Sequence, residues 1–193
     1  MGMKYLRGSV LAIMLSLIAS VPLVANEYPH SLGVQVGRLS GIGASYQVWT
    51  QNLGWQVAGG MLYRTELEED GDRLVYNLGL ELQYPLVEHA INSWLEGKLY
   101  LVLGVHHQGY EEAVETSLGS GVYTAGPLQL NFGLGGGMGV ETILFEHFAI
   151  GTEFVYICMY NPKLNEAMLN MVPQVSLRYR FSRIVAGNDS VEE

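Results

Sequence analysis

Apolar and polar residues alternate along most of this chain. A strand turns successive side chains to opposite faces, so a period of two predicts β-structure. Eight runs carry it: Leu32–Arg38, Ile42–Val48, Trp55–Arg64, Leu74–Tyr84, Leu95–Gln108, Leu128–Glu141, Phe148–Tyr160 and Val172–Phe181. In the last run Val175, Leu177, Tyr179 and Phe181 stand against Gln174, Ser176, Arg178 and Arg180. In the sixth, Leu130, Phe132, Leu134, Met138 and Val140 oppose a face rich in glycine that ends at Glu141. No run of similar length follows a helical period, and the best helical candidate is the short piece Lys163–Met171.

The first 25 residues break the pattern. Lys4 and Arg7 precede an apolar stretch from Val10 to Val24, and Leu23-Val24-Ala25 offers a small-residue cleavage site. These are the parts of a secretory signal peptide. The stretch is too short and too interrupted for a membrane helix, which needs about 20 apolar residues. The chain therefore divides into a signal peptide (1–25), a β-domain (26–181) and a polar, acidic tail (182–193). Without Lys4 and Arg7, ten basic residues become eight against nineteen acidic ones, a formal charge of −11. That balance excludes nucleic acid as a partner, since a nucleic-acid surface needs a basic patch.

Composition decides which way the alternating faces point. The chain is 49% apolar and 15% charged, against roughly 25% charged in a soluble domain. A soluble ligand-carrying barrel would need a charged exterior, and a face of Gly, Gln, Ser and Asn with few charges is too sparse for one. The polar face suits a narrow lumen, and the apolar face suits lipid. Only helices or closed barrels can span a bilayer, because every backbone group must be paired there. The prediction is an all-β, eight-stranded antiparallel up-and-down transmembrane barrel. Eleven of the 24 glycines fall on the lumen face. With a periplasmic N-terminus, Trp49–Gly54, Pro85–Trp94 and Leu144–His147 are turns. The longest connection, Gly109–Gly126, then lies outside. Trp49, Trp55, Tyr84, Trp94, Phe148, Tyr179 and Phe181 gather at the turn end as an aromatic belt would.

The lumen face carries Arg64, Glu81, Glu96, Lys98, Glu141, Glu153, Arg178 and Arg180. Charges in a narrow interior must be paired, so these eight predict a salt-bridge network that plugs the barrel. Other constellations carry less chemistry. His106 and His107 are adjacent and so face opposite sides of a strand, which prevents them from sharing a metal; Glu111 and Glu112 are their only acidic neighbours. Glu66, Glu68, Glu69, Asp70 and Asp72 surround Gly71 without the spacing of a calcium loop. Asp70-Gly71 reads as a hairpin turn. Gly133 to Gly139 is glycine-rich, but Met138 breaks the dinucleotide spacing and no P-loop lysine follows. Cys158 is the only cysteine, which excludes an internal disulfide. No catalytic residue, cofactor or metal is predicted.

The eight amphipathic runs and the closing Leu177-Arg-Tyr-Arg-Phe181 resemble the small bacterial outer-membrane β-barrel proteins of the OmpA/OmpX-like kind. Ser40-Gly-Ile-Gly-Ala-Ser-Tyr46, Ile143-Leu-Phe-Glu-His-Phe148 and Glu153-Phe-Val-Tyr156 look like strand segments of such barrels. The resemblance covers residues 28–181. It implies a cell outer membrane location in a Gram-negative bacterium and contact with membrane lipid and lipopolysaccharide. It also implies insertion by the barrel-assembly machinery, and external loops that can meet a surface ligand. The aromatic ending is similar to the signal that machinery reads, although Ser182–Glu193 follows it here. Some barrels of this size modify lipid A. The deacylase kind would bring an H-x-S spacing, but His106 and His147 are followed by His107-Gln108 and Phe148-Ala149. The acyl-transferase kind would bring Asp-Ser in an external loop, and the one Asp-Ser here is Asp189-Ser190 in the tail. The expectation is a non-enzymatic outer-membrane protein with a structural or surface-interaction role. The alternatives are a lipid A-modifying enzyme on the same barrel and a secreted soluble ligand-binding barrel.

Overall fold

A computed structural model describes residues 28–50, 52–64, 74–117 and 119–182. The proposed signal peptide, the acidic loop at 66–72 and the tail from 183 lie outside the described residues. The described chain is all-β. Its strands are β1 (His30–Val36), β2 (Ile42–Trp49), β3 (Gly54–Tyr63), β4 (Leu74–Asn92), β5 (Leu95–Glu111), β6 (Ala113–Glu115), β7 (Tyr123–Ala125), β8 (Gln129–Leu144), β9 (Phe148–Asn161) and β10 (Glu166–Phe181). Eight of them close into one barrel in the order β1-β2-β3-β4-β5-β8-β9-β10, and β6 and β7 form a separate small hairpin. Every neighbouring pair in the barrel is antiparallel.

The register fixes the tilt. Stepping across the ladder from Val34 leads through Ala44, Gly59, Leu78, His107, Phe132 and Tyr160 to Ala167. Val34's own partner on β10 is Leu177, so the circuit closes with a stagger of ten residues, 177 less 167. A stagger of this size in eight strands tilts them about 40° and leaves an interior that side chains alone can fill.

The alternation places the two faces as the sequence implies. Gln174, Ser176, Arg178 and Arg180 of β10 are buried, while Val175, Leu177 and Tyr179 beside them are about half exposed. Leu103, Leu134, Met138, Phe154 and Tyr156 likewise stand outward. Glycines make the inside passable. The ring of Tyr100 lies where a Cβ on Gly139 would be, 2.5 Å away. Gly41 and Gly43 hold positive φ angles of 101° and 138° beside the β1–β2 turn, a backbone that side chains disfavour.

Four expectations change. The fourth connection is not Pro85–Trp94. β4 continues to Asn92, and only Ser93 and Trp94 turn the chain. Pro85 has no N–H to give the ladder, and the register shifts between Pro85 and Val87, so a bulge absorbs it instead of ending the strand. Lys163–Met171 is not a helix. The Asn161 side chain accepts from the Lys163 and Leu164 amides, and Asn165 takes a left-handed φ of 52°. The turn is therefore tight, and β10 starts at Glu166. The fifth connection holds the β6–β7 hairpin, because β5 runs on through Gly109 to Glu111. Trp49 leaves the outer belt. It continues the inward series Ser45, Gln47, Trp49 and is buried, with room for its ring given by Gly54 opposite.

With these bounds one end of the barrel has turns of four, two and three residues, at 50–53, 93–94 and 145–147. The other end carries the connections 37–41, 64–73, 112–128 and 162–165.

Candidate functional site: the lumen

The middle of the lumen is a carboxylate–amide lattice. Glu81, Glu141 and Glu153 are all buried there, with Arg178. Each reaches inward because it occupies the odd face of its strand (β4, β8, β9) while Arg178 occupies the even face of β10. Arg178 bridges to Glu141 at 3.2 Å and donates from its other terminal nitrogen to Gln56. Glu153 accepts from Tyr100 at 2.8 Å, Gln174 at 2.7 Å and Gln83 at 3.2 Å. Glu81 accepts from Gln174 at 3.1 Å, Gln56 at 3.2 Å and Gln83 at 3.5 Å. Gln35, Gln47, Gln56, Gln83 and Gln174 are all within 1% of full burial. Ser31 and Gln47 extend the lattice to Gln83. Both oxygens of Glu81 and of Glu153 are thus met by donors, which is the condition for holding polar groups away from water.

A second cluster closes the short-turn end. Lys98 bridges to Glu88 at 3.3 Å, and its ammonium sits 4.2 Å from the centre of the Trp49 ring. Trp49 in turn meets Tyr100 edge-on. Glu96 is half-buried two residues before Lys98 on the same face of β5. Arg180 is buried and donates to the Glu146 carbonyl at 3.3 Å.

Of the eight residues predicted for the lumen, Glu81, Glu141, Glu153 and Arg178 form the central lattice. Glu96, Lys98 and Arg180 lie at the turn end. Arg64 does not belong. It is exposed and stands one residue beyond the end of β3, so the inward alternation that pointed to it has already ceased. The network also differs in kind from a set of salt bridges. Only one ion pair, Arg178–Glu141, lies in the middle among the described residues, and five glutamine amides carry most of the rest. Glutamines on the polar face were legible in the sequence. Their reach across the lumen depends on which strands stand opposite, and that is set by the stagger. Glu88 was missed because it lies in a segment read as a turn. An apolar set, Leu39, Val102, Val155 and Ile157, packs inside with Trp49 and Tyr100.

The loop end is different. The β1–β2 turn folds into the barrel, burying Leu39 and Ser40. Gln174 holds it by accepting from the Leu39 and Ser40 amides at 2.7 and 3.0 Å. Asn77 holds its other side, giving to the Ile42 carbonyl at 3.1 Å and accepting from the Ile42 amide. Above this turn lie two open clefts of about 510 and 240 Å³, and Arg38, His106 and Gln108 line both. His107 turns outward and packs on Tyr76 and Phe132, so the two histidines are split between the faces. Among the described residues no three His, Cys, Asp or Glu side chains converge on one point. Cys158 is exposed on the outer wall.

No family model matches the chain, and no curated protein matches it.

Proposed function

We propose that this chain is a non-enzymatic integral protein of the cell outer membrane, a barrel of the OmpA/OmpX-like kind. Its lumen is plugged and its role is structural or surface-interacting. The observation that carries this reading is the inversion of polarity. Charged and amide side chains are buried and bonded to one another, while Leu, Val, Met, Phe and Tyr cover the outside of every barrel strand. A soluble monomer rarely exposes an apolar patch above a few hundred Å². A continuous apolar wall on a closed barrel is what a bilayer solvates, since closure pairs the strand edges around the whole circuit below the β1–β2 turn. The short turns at 50–53, 93–94 and 145–147 suit the periplasmic end, and the longer connections suit the cell surface. Membrane lipid and lipopolysaccharide are then its surroundings, the barrel-assembly machinery inserts it, and any surface ligand meets the loops. A lumen filled by the Glu81–Gln174–Glu153 lattice leaves no water-filled path for ions.

Refolding the chain into lipid vesicles tests this reading. The protein should float with the vesicles in a density gradient and run faster on an unheated gel than on a heated one. Added to a planar bilayer, it should produce no steady ion current. Protein left at the bottom of the gradient would refute the membrane location, and stable conductance would refute the plug.

A further inference from the structure

The barrel wall is not of even height. β2 pairs with β3 only up to Ala44–Gly59, yet β3 continues to Tyr63 against β4. β1 pairs with β10 only from Val36–Val175 downward, yet β10 begins at Glu166. The low β1–β2 turn therefore sits between two taller edges, 61–63 on one side and 166–174 on the other. These edges have no ladder partner across the gap among the described residues. The wall has a notch at the loop end.

The larger cleft runs through that notch. Asn77, His106 and Gln108, which line it, belong to the lumen face. Ile42 and Met61, which also line it, belong to the outer face and are 53% and 75% exposed. A cleft lined by both faces of the same wall connects the mouth to the outside. Its polar end is unusual for this barrel. Arg38 has no hydrogen-bond or ion-pair partner among the described residues, in contrast to Arg178. His106 is 93% buried and lines both clefts; its Nδ1 has no partner, as is also true of Ser45 Oγ, Trp49 Nε1 and Arg178 Nε deeper in the lumen. An unpartnered guanidinium at the rim of a cleft that an amide also lines is a place for an anionic group. Apolar residues take over toward the wall: Leu62, Val75, Met61 and Ile42. The volume falls within the range of small-ligand sites.

We propose that the notch admits a single-chain alkyl carboxylate sideways from the surrounding lipid. Arg38, with the His106 ring and the Gln108 amide beside it, holds the head group, and Ile42 and Met61 flank the chain. One guanidinium and two neutral groups match one negative charge. A phosphate monoester would bring a second charge with no cation to meet it, and Glu166 lines the neighbouring cleft. The proposal rests on the membrane reading above, since the outer end of the cleft opens where lipid would lie.

The test uses the full chain in phosphatidylcholine nanodiscs and dodecanoate labelled with carbon-13 at the carboxyl. A bound carboxyl resonance should saturate at one dodecanoate per barrel and be absent from empty discs. Arg38→Gln should weaken binding about tenfold or more, the scale of a charge-assisted hydrogen bond. Arg64→Gln, on the same rim but outside both clefts, should leave it unchanged. Dodecanol should compete poorly. Equal binding by Arg38→Gln and the parent, or equal competition by dodecanol, would overturn the site. Flotation of the same sample separates the two failures. Protein that inserts but does not bind sinks only this inference, whereas protein that does not insert sinks the membrane reading and the side entry with it.

Discussion

Arg178 and Arg38 stand in the same barrel under opposite conditions. Arg178 is 99% buried in the middle of the lumen, bridged to Glu141 and bonded to Gln56. Arg38 is exposed at the loop-end mouth and has no hydrogen-bond or ion-pair partner among the described residues. The middle is closed by mutual satisfaction: Glu81 and Glu153 share Gln83 and Gln174 as donors, and glycines such as Gly104 and Gly151 leave no slack beside them. The mouth is left incomplete, with the orphaned Nδ1 of His106 at its base. Glu81 and Glu153 have both oxygens met, whereas the mouth keeps an open cleft beside an unpartnered guanidinium, so the two regions carry different tasks. The middle holds the barrel together, and the mouth is where a visitor fits.

The sharpest way to break this comparison is to remove the central cation. Arg178→Ala should strand Glu141 without its partner, and losing one member of a buried pair costs about 3–5 kcal/mol. Urea unfolding of the vesicle-inserted barrel would measure it. Arg178→Met combined with Glu141→Gln should recover much of the loss, since replacing both charges removes the uncompensated one. Arg38→Gln should leave the unfolding midpoint within about 0.5 kcal/mol of the parent, as exposed substitutions do. Equal losses at the two arginines would erase the distinction between middle and mouth.

Gln174 tests the seam between the regions. Its carbonyl oxygen holds the β1–β2 turn through Leu39 and Ser40, and its amide reaches Glu81 and Glu153. Gln174→Ala should cost about 1–3 kcal/mol, the penalty for leaving buried groups unpaired. It should also raise amide exchange at Leu39 and Ser40, seen by hydrogen–deuterium exchange. Faster exchange confined to the mouth, with unchanged unfolding, would mean that the turn hangs on Gln174 but the lattice does not.

How far the sequence foretold these regions follows from the range of each interaction. The inward face of every strand is a local property, set by the period of two, and Glu81, Lys98, Glu141, Glu153 and Arg178 were legible from it. Arg64 was misplaced because alternation says nothing about where a strand ends. Trp49 was misplaced because an aromatic residue near a strand end suits a belt as well as a lumen. The strand's own alternation from Ser45 and Gln47 turns Trp49 inward, and the opposing Gly54 and the Lys98 ammonium give its ring a place there. The Gln174 bridge joins residues 135 positions apart, and the notch depends on where β1 and β2 stop relative to β3 and β10. Both follow from the stagger of the whole circuit, which no single segment encodes.

The smallest expected effect lies outside both regions, in the β6–β7 hairpin, and it bounds how much an exposed loop contributes. Ala113, Val114 and Glu115 pair with Ala125, Thr124 and Tyr123 respectively, and the Glu115 carboxylate accepts from the Gly121 amide at 2.9 Å. The Gly121 and Gly119 amides hold the Glu115 carboxyl below its ordinary range. A carboxyl whose folded value is depressed contributes order above its unfolded value and loses that contribution as pH falls through the folded one. The Gly121 amide resonance should therefore titrate at a pH below that of an unperturbed glutamate. Glu115→Gln should abolish the titration while the global unfolding midpoint stays put, because a fully solvated contact is screened by water and salt. A shift of that midpoint with Glu115→Gln would mean the hairpin packs on the barrel. The mouth would then be a lidded site instead of an open one.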